Sequence, residues 1–395
     1  MNDIALGTAA FVGLLGVAVI VAIVAERVRV PAAVALVAFG ALVSSARPID
    51  LPFAFGDTLL FVFLPPLIFE AAWNIDLGAL RRVAWSIAVL AFPGVIVTTG
   101  VIALGVSATG QLPLLAAFML GAIVSATDPV AVIAIFRRLG VSADLRTLVE
   151  GESVANDGVA IALYGIGLAL AAQSTRVDAL GLAWHGIVSM IVGVAIGIAA
   201  AGLIGLAMRG TTDPRAELSA TIVLAYLAYS IATALDASGV FATAAAGITI
   251  NALRARVLTA QSPEDVDRFW AALAFIANAF VFLATGLVIQ AQRIFHEPLL
   301  VLVAIAVVFA ARGVLAFGVL PLLGIGTALP GWRTTTFIAG MRGALSLALA
   351  LGLPATFAHR PEIIDVTFAI VLVTLVVQGF SIEPVLKRLP IALRG

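Results

Sequence analysis

The chain is a succession of unbroken apolar runs, most of them about as long as a helix needs to be to cross a bilayer. A hydrocarbon core of about 30 Å requires roughly 20 apolar residues in helical form, and only helices and closed barrels satisfy their backbone polar groups there. The runs lack the strict alternation of barrel strands, so the pattern predicts helices. Thirteen are placed at residues 5–25, 32–46, 57–76, 84–107, 112–136, 147–173, 183–208, 217–235, 239–253, 269–291, 298–323, 334–353 and 364–386. The second and ninth are short, and only Asp236, Ala237 and Ser238 separate the eighth from the ninth. Of the 395 residues 62% are hydrophobic and 11% charged, against about 25% charged in a soluble chain. The 22 basic residues balance 22 acidic ones, leaving no basic field for a nucleic acid. With no cysteine, disulfides and thiolate metal centres are excluded. This composition belongs to an all-α polytopic membrane protein.

The basic residues test the number and direction of the spans. Of the 22, 16 follow odd-numbered spans, 4 follow even-numbered ones, and Arg312 and Arg342 lie inside spans. Positive charge accumulates on cytoplasmic loops, so the N-terminus is expected outside and the C-terminus in the cytoplasm. The first run lacks the basic start and small-residue cleavage site of a removable signal and is read as a retained helix. Thirteen spans also suggest two inverted six-helix repeats, spans 1–6 and 8–13, with span 7 as connector, an arrangement common in secondary transporters. So few residues follow the last run that no cytoplasmic regulatory domain is expected.

A charge at mid-membrane costs about 2.5–3.5 kcal/mol on insertion scales, yet Glu70, Asp128, Glu152, Asp157, Arg312 and Arg342 sit well inside apolar runs. Each should face the bundle interior or a water-filled cavity. Four acids against two bases leave surplus negative charge, which calls for protons or a metal cation.

Span 5 contains Thr127-Asp128-Pro129. Proline disrupts a helix interior but starts a helix well, so span 5 should break there with Asp128 as a cap. The Thr127 carbonyl then loses its intrahelical partner. Asp128 can be a cap alone or part of a site. Span 6 carries Glu150-Gly-Glu152-Ser153-Val-Ala-Asn156-Asp157. Glu152 with Asn156, and Ser153 with Asp157, are i,i+4 neighbours on adjacent ridges of one polar face. Glu150 is expected nearer the cytoplasmic mouth, in solvent. In span 12, Gly340 and Gly343 flank Met341-Arg342, allowing close approach or local unwinding. Two interrupted spans at matching positions of the halves mark a transporter's binding site. The arginines could neutralise acids or touch substrate. In span 3 the pair Pro65-Pro66 precedes Glu70 and should break or kink the helix. Glu70 could line the cavity or anchor a contact behind it. His185, His296 and His359 fall at span ends without ligand-like spacing, so a histidine metal site is not expected.

The runs Ser125-Ala-Thr127-Asp128-Pro129, Glu152-Ser153-Val-Ala-Asn156-Asp157-Gly158, Met341-Arg342-Gly343-Ala-Leu-Ser346 and Phe63-Leu-Pro-Pro-Leu-Ile-Phe-Glu70 resemble the cation:proton antiporter 1 family, and within it NhaP-type bacterial sodium/proton antiporters. The resemblance covers the membrane chain in order. It implies a 13-helix inverted-repeat fold, with a core bundle near residues 84–173 and 298–386 and a dimerisation bundle near 1–76 and 183–291. It also implies a homodimer in the bacterial inner membrane that serves sodium transport and pH homeostasis, without a cofactor. By the same resemblance Asp157 takes the cation and the proton, Glu152, Ser153 and the Thr127 carbonyl complete the Na+ ligands, and Asn156, Asp128, Arg342 and Arg312 hold the network. Electrogenic relatives carry two successive aspartates where this chain has Asn156-Asp157, so the resemblance points to electroneutral one-for-one exchange.

Competition for one buried carboxylate would couple the ions, because burial disfavours the ionised form and a bound cation favours it. An unloaded anion crossing an apolar gate would be strongly opposed. The near alternatives are an electrogenic or K+-preferring antiporter, or a cation channel, although no filter-like repeat is present. From another class, an intramembrane aspartyl protease would need Gly-x-Gly-Asp. The nearest string is Ala54-Phe-Gly-Asp57, at a span edge, so an enzyme is not expected.

Overall fold

The structure, a computed structural model, describes residues 3–28, 30–46, 57–172, 179–258, 262–288, 297–322 and 331–389. Among these residues the regular structure is helical and contains no strand. His296, the Ala54–Gly56 string and several loop arginines lie outside the described residues. The first half comprises α1 (Asp3–Arg27), α2 (Ala32–Ala46), α3 (Asp57–Asn74), α4 (Leu77–Ala91), α5 (Pro93–Ser107), α6 (Leu114–Ser125), α7 (Val130–Leu139) and α8 (Ala143–Ala172). It continues with α9 (Ala179–Met208), α10 (Pro214–Ala234), α11 (Gly239–Val257) and α12 (Ser262–Val288). Then follow α13 (Pro298–Gly313), a π-turn (Val314–Val319) running into α14 (Leu320–Leu322), α15 (Trp332–Ile338), α16 (Ala344–Leu351) and α17 (Arg360–Leu386).

Seven stretches are long and apolar enough to cross a membrane: Leu77–Ser107, Ala143–Ala172, Leu180–Met208, Pro214–Ala234, Glu264–Val288, Pro298–Leu322 and Arg360–Leu386. Shorter apolar helices cover Ala32–Ser45, Phe61–Asn74 and Leu114–Ser125. The protein is an integral membrane protein. Its helices overrun several of the expected apolar runs, as α8 does by including Arg146, because helical hydrogen bonding continues past the edge of the hydrocarbon.

Proline shapes these helices in three ways. Pro93, which has no N–H to donate, ends α4 and opens α5, an interruption not expected from the sequence. Pro129 precedes α7, as expected. The expected break at Pro65-Pro66 does not occur, and α3 runs through both. Pro66 cannot donate to Val62, and the Tyr226 hydroxyl donates to that carbonyl instead, at 2.8 Å. A neighbouring helix thus satisfies the freed group.

The site rests on several packed cores. Phe63 of α3 stacks on Phe280 of α12 with ring centroids 4.9 Å apart, in a cluster that also takes in Leu347 of α16 and Phe368 of α17. Where α2 crosses α12, a Cβ on Gly40 would lie 2.6 Å from the Leu283 carbonyl, so only glycine admits that approach. Val132 and Phe136 of α7 pack among residues of α4, α8 and α17. Leu120 and Ile123 of α6 pack with Leu349 of α16 and Val308 of α13.

Candidate functional site

Two broken helices meet here. The stretch from Ala126 to Pro129 is non-helical, leaving carbonyls of the last turn of α6 and amides of the first turn of α7 without intrahelical partners. Asp128 takes up much of this deficit. Its Oδ1 accepts from the Val130 amide at 3.0 Å, its carboxylate also accepts from the Ala344 amide, and its own amide donates to the Met341 carbonyl at 2.8 Å. One side chain therefore caps the starts of both α7 and α16, where helix dipoles favour negative charge. Gly343 lies so close that an added Cβ would run into the Asp128 carboxylate. The glycine in this motif is thus a matter of space.

Residues 340–343 lie between α15 and α16 without helical structure, as the flanking glycines predict. The Arg342 side chain, 1% exposed as a residue, donates from Nε to the Val124 carbonyl at 2.7 Å and from Nη1 to the Gly340 carbonyl. It neutralises the negative end of α6 rather than a carboxylate. Arg312 is the arginine that pairs with an acid. It forms a bidentate ion pair with Glu152, Nη2 to Oε2 being 3.1 Å, and its Nε and Nη2 also donate to the Thr336 carbonyl near the end of α15, at 3.0 and 2.8 Å.

On α8 the two ridges separate by role. Glu152 and Asn156 turn into protein. Asn156 Nδ2 donates to Thr127 Oγ1 at 2.6 Å, while its Oδ1 accepts from the Thr127 amide at 3.4 Å. Ser153 and Asp157 face a cavity of about 360 Å³. Ser153 Oγ donates to the Thr127 carbonyl at 2.6 Å, using one of that oxygen's two lone pairs. Asp157 Oδ1 is buried and has no hydrogen-bond partner among the described residues, and the charged side chain facing it is the like-charged Asp128.

The cavity is also lined by Glu70, Asn74, Arg137, Glu150, Asn278 and Ser346. Four carboxylates, Glu70, Asp128, Glu150 and Asp157, stand there against one arginine among the described lining residues. Asn74 Nδ2 donates to Glu70 Oε1 at 2.8 Å. A wider cleft of about 1160 Å³ shares Glu70, Asp128 and Asn278 and extends to Arg138, Glu383 and Lys387.

Thr127, Asp128, Ser153, Asp157 and Glu70 of the expected residues come together at the cavity wall, and Asn156, Arg312 and Arg342 brace it from behind. Glu152, expected among the oxygen ligands, is instead closed on Arg312 and does not line the cavity. Glu150, expected in solvent, is 4% exposed, with Arg137 Nη2 3.8 Å from its Oε1. Asn278 and Ser346 were not foreseen as lining residues. Each is a lone polar residue in an apolar stretch, a signal weak enough to pass for helix surface. No group of three or more potential metal-ligating His, Cys, Asp or Glu side chains occurs among the described residues, and His185 is exposed.

A polytopic helical protein whose polar cavity sits where two interrupted helices meet has the architecture of membrane transporters. A profile described as "Sodium/hydrogen exchanger, transmembrane" matches residues 15–388, and the chain belongs to that family. It is 31% identical over 408 residues to the Na(+)/H(+) antiporter NhaH of Halobacillus aidingensis, covering 96% of this chain and 97% of the relative. It is 34% identical over 343 residues to the Na(+)/H(+) antiporter ApNhaP of Aphanothece halophytica, covering 84% of this chain but 65% of that longer protein. The fold matches the sodium proton antiporter MjNhaP1 of Methanocaldococcus jannaschii with a TM-score of 0.76 at 21% identity, over 97% of this chain and 98% of that one. These relatives are named as antiporters, none as an enzyme.

Proposed function

We propose that the protein is a secondary antiporter exchanging Na+ for H+, with Li+ or K+ as further candidate cargo, by competition of cation and proton for Asp157. One observation carries the reading. Glu152 is matched by Arg312, whereas Asp157 presents a buried oxygen with no hydrogen-bond partner among the described residues to a cavity beside Ser153 and the Thr127 carbonyl. Sodium is a hard cation that prefers such oxygen ligands. The ligand set is then Asp157, Ser153 and the Thr127 main chain, with Glu152 serving as the counter-ion of Arg312. Loaded with either ion, Asp157 is charge-compensated. Unloaded, it carries a bare carboxylate whose passage through an apolar barrier is costly, and that penalty enforces exchange.

Asn156 is occupied in bracing Thr127, so one carboxylate exchanges its load per cycle and transport is electroneutral. The names of the relatives support the cargo. The reading includes 13 membrane crossings in two inverted repeats and a core bundle moving against a dimerisation bundle within a homodimer, as the resemblance of the sequence motifs implies; the fold match bears on the fold alone. The basic residues support an external N-terminus and a cytoplasmic C-terminus. In proteoliposomes with an imposed pH gradient, sodium should collapse the gradient without generating a membrane potential, and Asp157→Asn should abolish this in a folded protein. Exchange that responds to imposed voltage would favour the electrogenic alternative. Exchange retained by Asp157→Asn would move the site elsewhere.

A further inference from the structure

Ser346 is fully buried, its Oγ has no hydrogen-bond partner among the described residues, and it lines the same cavity as Asp157. Leaving a buried hydroxyl unpaired costs free energy that a ligand or water in the cavity would recover. Its position follows from the crossing. Ser346 lies three residues after Gly343, on the same side of the first turn of α16, and Gly343 is in contact with the Asp128 carboxylate that faces Asp157. The neighbouring Leu345 packs with Val154 of α8, three residues before Asp157. Among the described residues, three cavity-lining side chains thus carry a buried oxygen without a hydrogen-bond partner: Asp157 and Glu150 from α8, the latter beside Arg137, and Ser346 from α16.

We propose that the Ser346 hydroxyl is a further oxygen ligand of the transported cation, supplied by α16, and that it helps decide which monovalent cation the site accepts. The inference rests on the antiport reading and adds the second interrupted span to the ligand set. A carboxylate attracts every monovalent cation, whereas the number and spacing of neutral oxygens discriminate among them. A serine is suited to this because its hydroxyl rotates to present a lone pair to a cation and adds no charge to upset the one-for-one balance.

The test compares the unaltered protein with Ser346→Ala and the near-isosteric Ser346→Cys, whose soft sulfur is a poor ligand for a hard cation. Initial exchange rates in proteoliposomes are measured against Na+, Li+ and K+ concentration, and thermal stability in detergent is followed as NaCl is added, since bound ligand stabilises the folded state. Losing one neutral ligand should raise the Na+ KM about three- to tenfold, change the Na+/Li+ preference, and leave the saturated rate within about twofold. The NaCl needed for a given thermal shift should rise by the same factor. An unchanged KM and ion preference in both variants, or a fall in saturated rate alone, would overturn the assignment. Absence of exchange in the unaltered protein would instead overturn the antiport reading.

Discussion

Asn156 and Asp157 are adjacent on α8 and serve opposite ends. The amide can donate and accept at once, and it does both to Thr127, holding the non-helical segment that a helix no longer supports. Replacing Asn156 by alanine strands a buried amide and hydroxyl, at about 1–3 kcal/mol for an unsatisfied group. A lowered melting temperature should accompany reduced exchange, and an unchanged melting temperature would show that Thr127 is held by other means. The sequence revealed the residue types on this face and their i,i+4 spacing. It did not reveal that one ridge meets Arg312 and Thr127 while the other meets open space. Helical periodicity gives the direction of a side chain along its own helix and is silent about what a distant part of the chain places opposite.

At the scale of elements, the two breaks at the site were legible because Pro129 and the glycines flanking Arg342 mark them locally, whereas the interruption at Pro93 was missed and the expected break at Pro65-Pro66 is absent. Pairing across elements was not legible. The Arg312–Glu152 pair joins α13 to α8, with both side chains nearly out of solvent. Removing one member leaves an uncompensated buried charge, at about 3–5 kcal/mol, whereas replacing both by apolar residues of similar volume can be neutral. Arg312→Met and Glu152→Leu should each destabilise strongly in thermal melts, and the double variant carrying both should recover most of the loss. Simple additivity of the single effects would argue against a direct pair. A second cycle tests why α3 survives its prolines. Tyr226→Phe should cost about 1 kcal/mol by stranding the Val62 carbonyl. In a Pro66→Ala background it should cost much less, because the restored amide can donate to that carbonyl within the helix. Equal losses in both backgrounds would mean that Tyr226 acts otherwise.

Over the whole molecule, the apolar runs and the distribution of arginine stated the class of the protein before any coordinate, since both are set by the bilayer rather than by particular contacts. Which side of the membrane the cavity faces is a property of one arrangement of the helices and has no such signature. The cavity shares lining residues with the cleft bounded by Arg138, Glu383 and Lys387, at the ends of α7 and α17 that the proposed orientation places in the cytoplasm. Ala134 lines both spaces and is exposed. Because the chain has no cysteine, Ala134→Cys creates a single reactive thiol. A membrane-impermeant maleimide should label it in inside-out vesicles and fail to do so at a comparable rate in right-side-out ones. Under the proposed mechanism sodium should alter the rate, because a cation bound at Asp157 would redistribute the protein between two facing states. Equal labelling from both sides would overturn the assignment of this cleft to one face of the membrane.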